Sequence, residues 1–203
     1  MDEGRLTKNI FNMDLDLCKM NWSSEMKNIF QKLDMIDIFN NRQVCDTTAV
    51  KSKLYEIMEL EWRKDVIKKP KLRTYVTFKD SFATEDYVRS NISRSARSLL
   101  AQFRIGILPI KVETGRFKNL AVSERICEVC SLNMVEDEKH FLCVCPIYDR
   151  QRLILYEKAN ALCPQFPNMS IDDKFIFIVK NMWRAMSVYL MSSWKIRQNK
   201  LYQ

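Results

Sequence analysis

From Ser23 onward, apolar residues recur at helical spacing along much of the chain. Met26, Ile29, Phe30, Leu33 and Ile36 form one stripe behind Ser23 or Ser24, either of which can cap a helix, and Asn40-Asn41 breaks it. Thr47 or Thr48 opens a second helix with Val50, Leu54, Ile57, Met58 and Trp62 inward, and Lys68-Lys69-Pro70 ends it. Thr74 to Phe78 has strand propensity but no partner nearby, so Leu72–Phe78 reads as a loop or short helix. A short helix is expected from Thr84 through Tyr87 and Val88. Ser93 caps a stronger one, with Ala96, Leu99, Leu100 and Phe103 inward and Gly106 as its stop. Ile107 to Leu120 reads as an extended connector.

Beyond it, Pro146 suits the first position of a helix carrying Ile147, Leu153, Leu155, Tyr156 and Ala159. Ser170 and Asp173 form a capping box that opens the longest helix, through Phe175, Ile178, Val179, Met182, Met186, Tyr189 and Trp194. The pattern predicts a mostly α fold. It is an irregular helical bundle with a small inserted Cys/His element and a long C-terminal helix. The expected divisions are a flexible N-terminus (1–22), a basic helical region (23–118), the Cys/His element (119–150) and C-terminal helices packing on the helical region (151–203).

Composition supports this reading. An apolar fraction of 47% is ample for a packed core, and only 3 glycines and 5 prolines argue against a turn-rich β fold. Phe175 to Leu190, the best apolar run, is interrupted by Lys180 and Arg184, so no membrane span is expected. Met1-Asp2-Glu3-Gly4 is acidic with no apolar stretch behind it and does not read as a secretory leader. An intracellular protein, nuclear or cytoplasmic, is expected.

Charge is unevenly spread. Between Glu61 and Lys118 there are 14 basic and 6 acidic residues, so this stretch carries the whole formal net charge of +8. Such an excess is the electrostatic footprint of phosphate-backbone binding, although a merely solvated basic face has the same composition. Arg94, Arg97 and Arg104 fall at helical spacings that project them toward a shared side. With Arg116, Lys118 and Arg125 they are the candidate contacts to nucleic acid.

The most specific chemistry follows directly. Cys127-x2-Cys130, nine residues, His140, then Cys143-x-Cys145 bring four of the 7 cysteines and the only histidine together. Thiolates and imidazole are the ligands of tetrahedral structural zinc, and a Cys-x2-Cys turn presents two sulfurs to one ion. Reduced core thiols are the plainer alternative. A disulfide framework fits poorly with an odd cysteine total and needs an oxidising compartment. Cys18, Cys45 and Cys163 are scattered and read as small buried hydrophobes. For the fourth ligand Cys145 is favoured over Cys143, because His-x2-Cys leaves the chain little slack. A helix running on from Glu136 would instead put Cys143 or Val144 on the face of His140.

The run Arg94-Ser-Ala-Arg97-Ser-Leu-Leu-Ala101-Gln-Phe-Arg104-Ile-Gly106-Ile-Leu-Pro109 through Gly115-Arg116 resembles a segment common in proteins of LINE-type, non-LTR retrotransposons. So do Lys71-Leu72-Arg73-Thr74-Tyr75-x2-Phe78-Lys79, Glu124-Arg125-Ile126-Cys127-x2-Cys130, Val135 to Leu142, and Cys145-Pro146-x-Tyr148-x3-Arg152. The likeness covers residues 60 to 155 and is to the region after the reverse-transcriptase domain, which ends in a CCHC zinc-knuckle-like motif. It implies Cys127, Cys130, His140 and Cys145 as zinc ligands, with Cys143 where the family usually has an apolar residue. It implies binding of template RNA or target DNA.

No catalytic machinery accompanies it. Ser170-Ile171-Asp172-Asp173 holds the only Asp-Asp pair, lacks the aromatic of a polymerase turn, and reads as a helix cap. The expectation is a non-enzymatic, detached module that binds RNA or DNA and carries structural Zn2+. The alternative is an interaction or scaffold domain, its Met182/Trp183/Met186/Trp194 surface packing on a reverse-transcriptase domain or a second copy. A zinc hydrolase would need a base such as Glu138 beside an open metal position, which four protein ligands do not leave.

Overall fold

A computed structural model of the chain describes residues 22–202 together with Ile10 and Met13. Apart from Ile10, Met13 and Trp22, the expected flexible segment 1–22 lies outside the described residues. The chain divides into two compact units, Met1–Lys64 and Asp65–Gln203. The fold is mostly α, an irregular helical bundle.

In the first unit, α1 (Trp22–Lys32) and α2 (Ile36–Asn40) replace the single helix expected through Ile36. Asp34 separates them at φ 54, a left-handed conformation that Asp tolerates better than most residues. The reversal brings Phe39 against Phe30, ring centroids 5.8 Å apart. Helix α3 (Thr47–Lys68) begins in this unit and ends in the next. Its cap is Asp46, whose Oδ1 accepts the Thr48 amide at 2.9 Å. Val50, Leu54, Ile57 and Trp62 are half-buried, while Met58, expected inward, is 52% exposed.

The second unit opens with a 3-10 turn, Pro70–Leu72, running into α4 (Arg73–Phe78), which settles the ambiguous segment as helical. Next come α5 (Asp86–Arg89) and α6 (Arg94–Arg104). Ser93 Oγ accepts the Ala96 amide at 3.2 Å, and Gly106 takes φ 73 at the end. A Cβ at Gly106 would lie 2.4 Å from the Lys71 carbonyl oxygen, so glycine is required by conformation and by space alike.

The connector expected over Ile107–Leu120 is instead folded core. Leu108, Ile110 and Val112 are buried, and α7 (Lys111–Thr114) and a 3-10 turn (Gly115–Lys118) follow one another. Alternating Ile/Leu with one proline hid this, because so short a helix shows no period.

A 3-10 turn (Pro146–Tyr148) buries Tyr148 and leads into α8 (Asp149–Leu162), which buries Arg152, Leu155 and Ala159, whereas Leu153 is 63% exposed. Helix α9 (Ile171–Asn181) starts at Ser170, whose Oγ accepts the Asp173 amide at 3.1 Å. The long helix expected from there breaks at Met182 (φ −122, ψ 34), and α10 (Trp183–Leu201) runs on separately. No glycine or proline marks that break. Helix α10 packs on α6 and α8 around Leu100, Phe103, Phe141, Tyr148, Met186 and Leu190. Met182 and Met186 are buried in this core, so they do not form the expected partner surface. No helix among the described residues is long and apolar enough to cross a membrane.

Candidate metal centre

An isolated antiparallel bridge pairs Ile126 with Val135 and starts the site. The Cys127 amide donates to the Met134 carbonyl and the Glu136 amide to the Arg125 carbonyl, each at 2.9 Å. Asn133, at φ 53, helps the intervening segment reverse. Cys127 is thereby fixed at the base of a narrow ribbon, with Cys130 in the loop above it.

The third donor comes from the turn that follows. Asp137 caps it, its Oδ1 accepting the His140 amide at 2.7 Å. His140–Val144 then form a π-turn, and the Cys145 amide donates to the His140 carbonyl at 2.8 Å. An i+5 to i bond widens the turn by one residue relative to an α-helix. Residues 140 and 145 therefore share a face, where α-helical winding would have offered position 143 or 144. That settles which cysteine joins His140. Cys143 is buried elsewhere in the core, and burial pushes its thiol up to about 11.

Donor atoms of Cys127, Cys130, His140 and Cys145 all lie within 4.8 Å of one another. His140 Nε2 is 3.5 Å from Cys130 Sγ. A tetrahedron with zinc–sulfur bonds of about 2.3 Å and a zinc–nitrogen bond of about 2.0 Å has an N···S edge of about 3.5 Å. His140 Nδ1 is buried without a hydrogen-bond partner. A hydrogen bond with Cys145 and burial push the Cys127 thiol up to about 12, and burial raises that of Cys130. A metal binds the thiolates and works against these shifts; what fits a metal ion is the donor set itself, three sulfurs and one imidazole converging within tetrahedral distances. Four protein donors close the shell, which suits a structural ion.

Behind the donors lies a layer of buried charge. Glu136 is fully buried and accepts the Arg197 guanidinium through both oxygens, one bond at 2.9 Å. It also accepts the Lys111 amide at 2.8 Å and faces Cys127 Sγ at 3.5 Å. Buried Arg152 donates to the Leu142 carbonyl at 3.0 Å and to the Cys145 carbonyl. One arginine thus holds the turn between the last two donors. Neither arginine's role is legible from spacing, since each bonds partners well outside its own helical turn.

The expected nucleic-acid contacts do not share one face. Arg104 is buried, bonded to the Val179 carbonyl and to Glu85 at 2.8 Å, and stacked 4.0 Å from the Phe78 ring centroid. Arg97 is half-buried and donates to the Ser90 carbonyl at 2.8 Å. These two brace the fold, while Arg94 and Lys118 are exposed. Arg116 and Arg125 instead line a groove with Lys68, Lys69, Lys71 and Arg73, residues that reasoning from helical faces did not join to them. Compared with protein-family models, with curated proteins and with solved structures, the chain matches none.

Proposed function

We propose that the chain is a non-catalytic helical module that carries structural zinc at Cys127, Cys130, His140 and Cys145 and binds the backbone of RNA or DNA. We take it to derive from a non-LTR retrotransposon reverse-transcriptase protein, on the strength of the motifs from Lys71 to Arg152. The observation that carries the binding reading is the convergence of six basic side chains, and no acidic one, on the walls of a single groove. Three of these are partly neutralised, Arg73 by Glu138 at 2.6 Å, Arg116 by Glu113 at 3.0 Å and Lys71 by the same Glu113 at 3.7 Å. Arg125 gives its donors to the Val112 and Leu120 carbonyls, which fix its position and leave its charge uncancelled.

Zinc supplies no reaction in this reading. It ties the Arg125–Cys130 ribbon to the His140–Cys145 turn. Three thiolates and one Zn2+ sum to a net charge of −1, so phosphate attraction falls to the arginines and lysines.

Two measurements test the proposal together. Metal analysis of purified protein is expected to give one equivalent of zinc, lost in Cys127→Ser and His140→Ala. Titration of a labelled oligonucleotide at graded salt is expected to give a log–log slope near −3 to −5, from about four to six phosphate contacts. Folded, metal-free protein refutes the zinc assignment, and a flat salt dependence refutes the backbone-binding one.

A further inference from the structure

We infer that the basic groove of the second unit takes single-stranded nucleic acid, with an unpaired base seated on its apolar floor and Phe117 stacking on a neighbouring one. This rests on the nucleic-acid reading above and specifies which form is bound. The groove encloses about 810 Å³, within the range of about 300–1,000 Å³ in which pockets bury small organic groups. The apolar part of its lining, the floor on which a base would sit, is Pro70, Leu72, Ile105, Ile107, Val112 and Val122, and the six cations make up the rest. Duplex nucleic acid presents a phosphate surface with its base faces already stacked, so it can meet the walls and leave the floor empty. A single strand offers both parts, phosphates for the lysines and arginines and flat apolar base faces for the cavity.

A second observation points the same way. Among the aromatic residues of the basic and Cys/His regions, Tyr75, Phe117 and Tyr148 are the candidates for stacking on bases. Tyr148 is fully buried against Phe141 at a centroid distance of 4.6 Å, and Tyr75 is half-buried and edge-on to Phe78 at 5.6 Å. Phe117, directly after the groove residue Arg116, is 81% exposed. A large aromatic left in water next in sequence to a groove cation is what base stacking uses, and each such contact contributes about 1–3 kcal/mol by alanine substitution.

The groove walls also carry charge that internal partners do not cancel. Glu113, which lies 3.7 Å from Lys71 as well as bonding Arg116, and Glu138 are the two carboxylates paired with the six cations. Lys68 and Lys69 are exposed at the groove's edge.

The test is fluorescence anisotropy on the full chain loaded with zinc, using a labelled single-stranded RNA, a single-stranded DNA of the same sequence, and the matching duplex. Single strands of one or both sugars are expected to bind at least about tenfold more tightly than the duplex. Phe117→Ala is expected to weaken single-strand binding about 5- to 150-fold with its salt slope unchanged. Paired Lys68→Gln and Lys69→Gln should instead flatten the slope by about 1 to 2. Val122→Glu, which places a carboxylate on the floor, should abolish single-strand binding. If that variant fails to fold, Phe117→Ala at an exposed site still decides. Equal affinity for strand and duplex with Phe117→Ala silent overturns the inference and leaves backbone binding standing. Failure to bind any oligonucleotide removes both.

Discussion

Arg152 shows how one side chain can hold the turn that carries two candidate metal donors without touching the donor atoms. Its guanidinium lies under the π-turn and satisfies the carbonyls of Leu142 and Cys145, with Asp149 on its outer side. Replacing it by Met keeps most of the apolar stem, strips the buried Leu142 carbonyl of this donor at a cost of about 1–3 kcal/mol, and leaves the Cys145 carbonyl with only the Tyr148 amide at 3.3 Å. Arg152→Met is therefore expected to lower stability by about 1–4 kcal/mol in urea unfolding, whereas Arg150→Met, at an exposed neighbour, should change it by less than about 0.5 kcal/mol. A loss confined to the range of Arg150→Met would show that the turn holds itself. Sequence pattern placed the donors because their chemistry is rare and their spacing short. It misplaced Arg104 and gave Arg152 no role, because a buried arginine depends on partners outside its own helix: Val179 lies 75 positions from Arg104. Periodicity within one helix carries no trace of such a partner.

Among the elements, those ended by local chemistry were legible and those shaped by packing were not. Ser93, Ser170, Gly106 and Pro70 mark boundaries through hydrogen bonds or backbone geometry they impose themselves. The break at Met182 and the short helix Lys111–Thr114 have no such marker and follow from burial of Met182, Leu108, Ile110 and Val112. The π-turn is an intermediate case: the His140–Cys145 spacing contained it, but only donor convergence selected it over an α-helical continuation. Gly106 gives the sharpest element-level prediction. Gly106→Ala adds left-handed strain of about 1–2 kcal/mol and drives a Cβ to 2.4 Å from the Lys71 carbonyl. The segment from Lys69 to Leu72 must then move, and it lines the groove. The variant is expected to lose more than about 2 kcal/mol in thermal or urea unfolding and to bind oligonucleotide more weakly as well. Unchanged stability would mean that the wall yields freely.

For the second unit as a whole, the candidate metal centre is continuous with the hydrophobic core. Taken alone, the Cys/His spacing suggests a knuckle that unfolds before anything else is affected. In the structure Cys127 and Cys145 are core members beside Phe141, Leu142 and Tyr148, and Tyr189 of α10 donates to the Phe141 carbonyl at 2.7 Å. The Glu136–Arg197 pair carries the same linkage from the Cys127 ribbon to the last turns of α10. Structural zinc contributes on the order of 10 kcal/mol in such sites, comparable to the whole stability of a domain. Chelation is therefore expected to abolish the near-ultraviolet dichroism of the buried aromatics in a single transition, with no separate early phase for the ribbon. Arg197→Met leaves the Glu136 carboxylate buried and unpaired beside Cys127, a defect of about 3–5 kcal/mol. Zinc transfer to a chromophoric chelator should then run faster than in wild type or in Lys195→Met, an exposed position on the same helix. Adding Glu136→Gln to Arg197→Met should recover part of the loss, because the stranded charge is gone. If Arg197→Met releases zinc at the wild-type rate, the C-terminal helix does not brace the metal centre, and the ribbon and turn hold their ion alone.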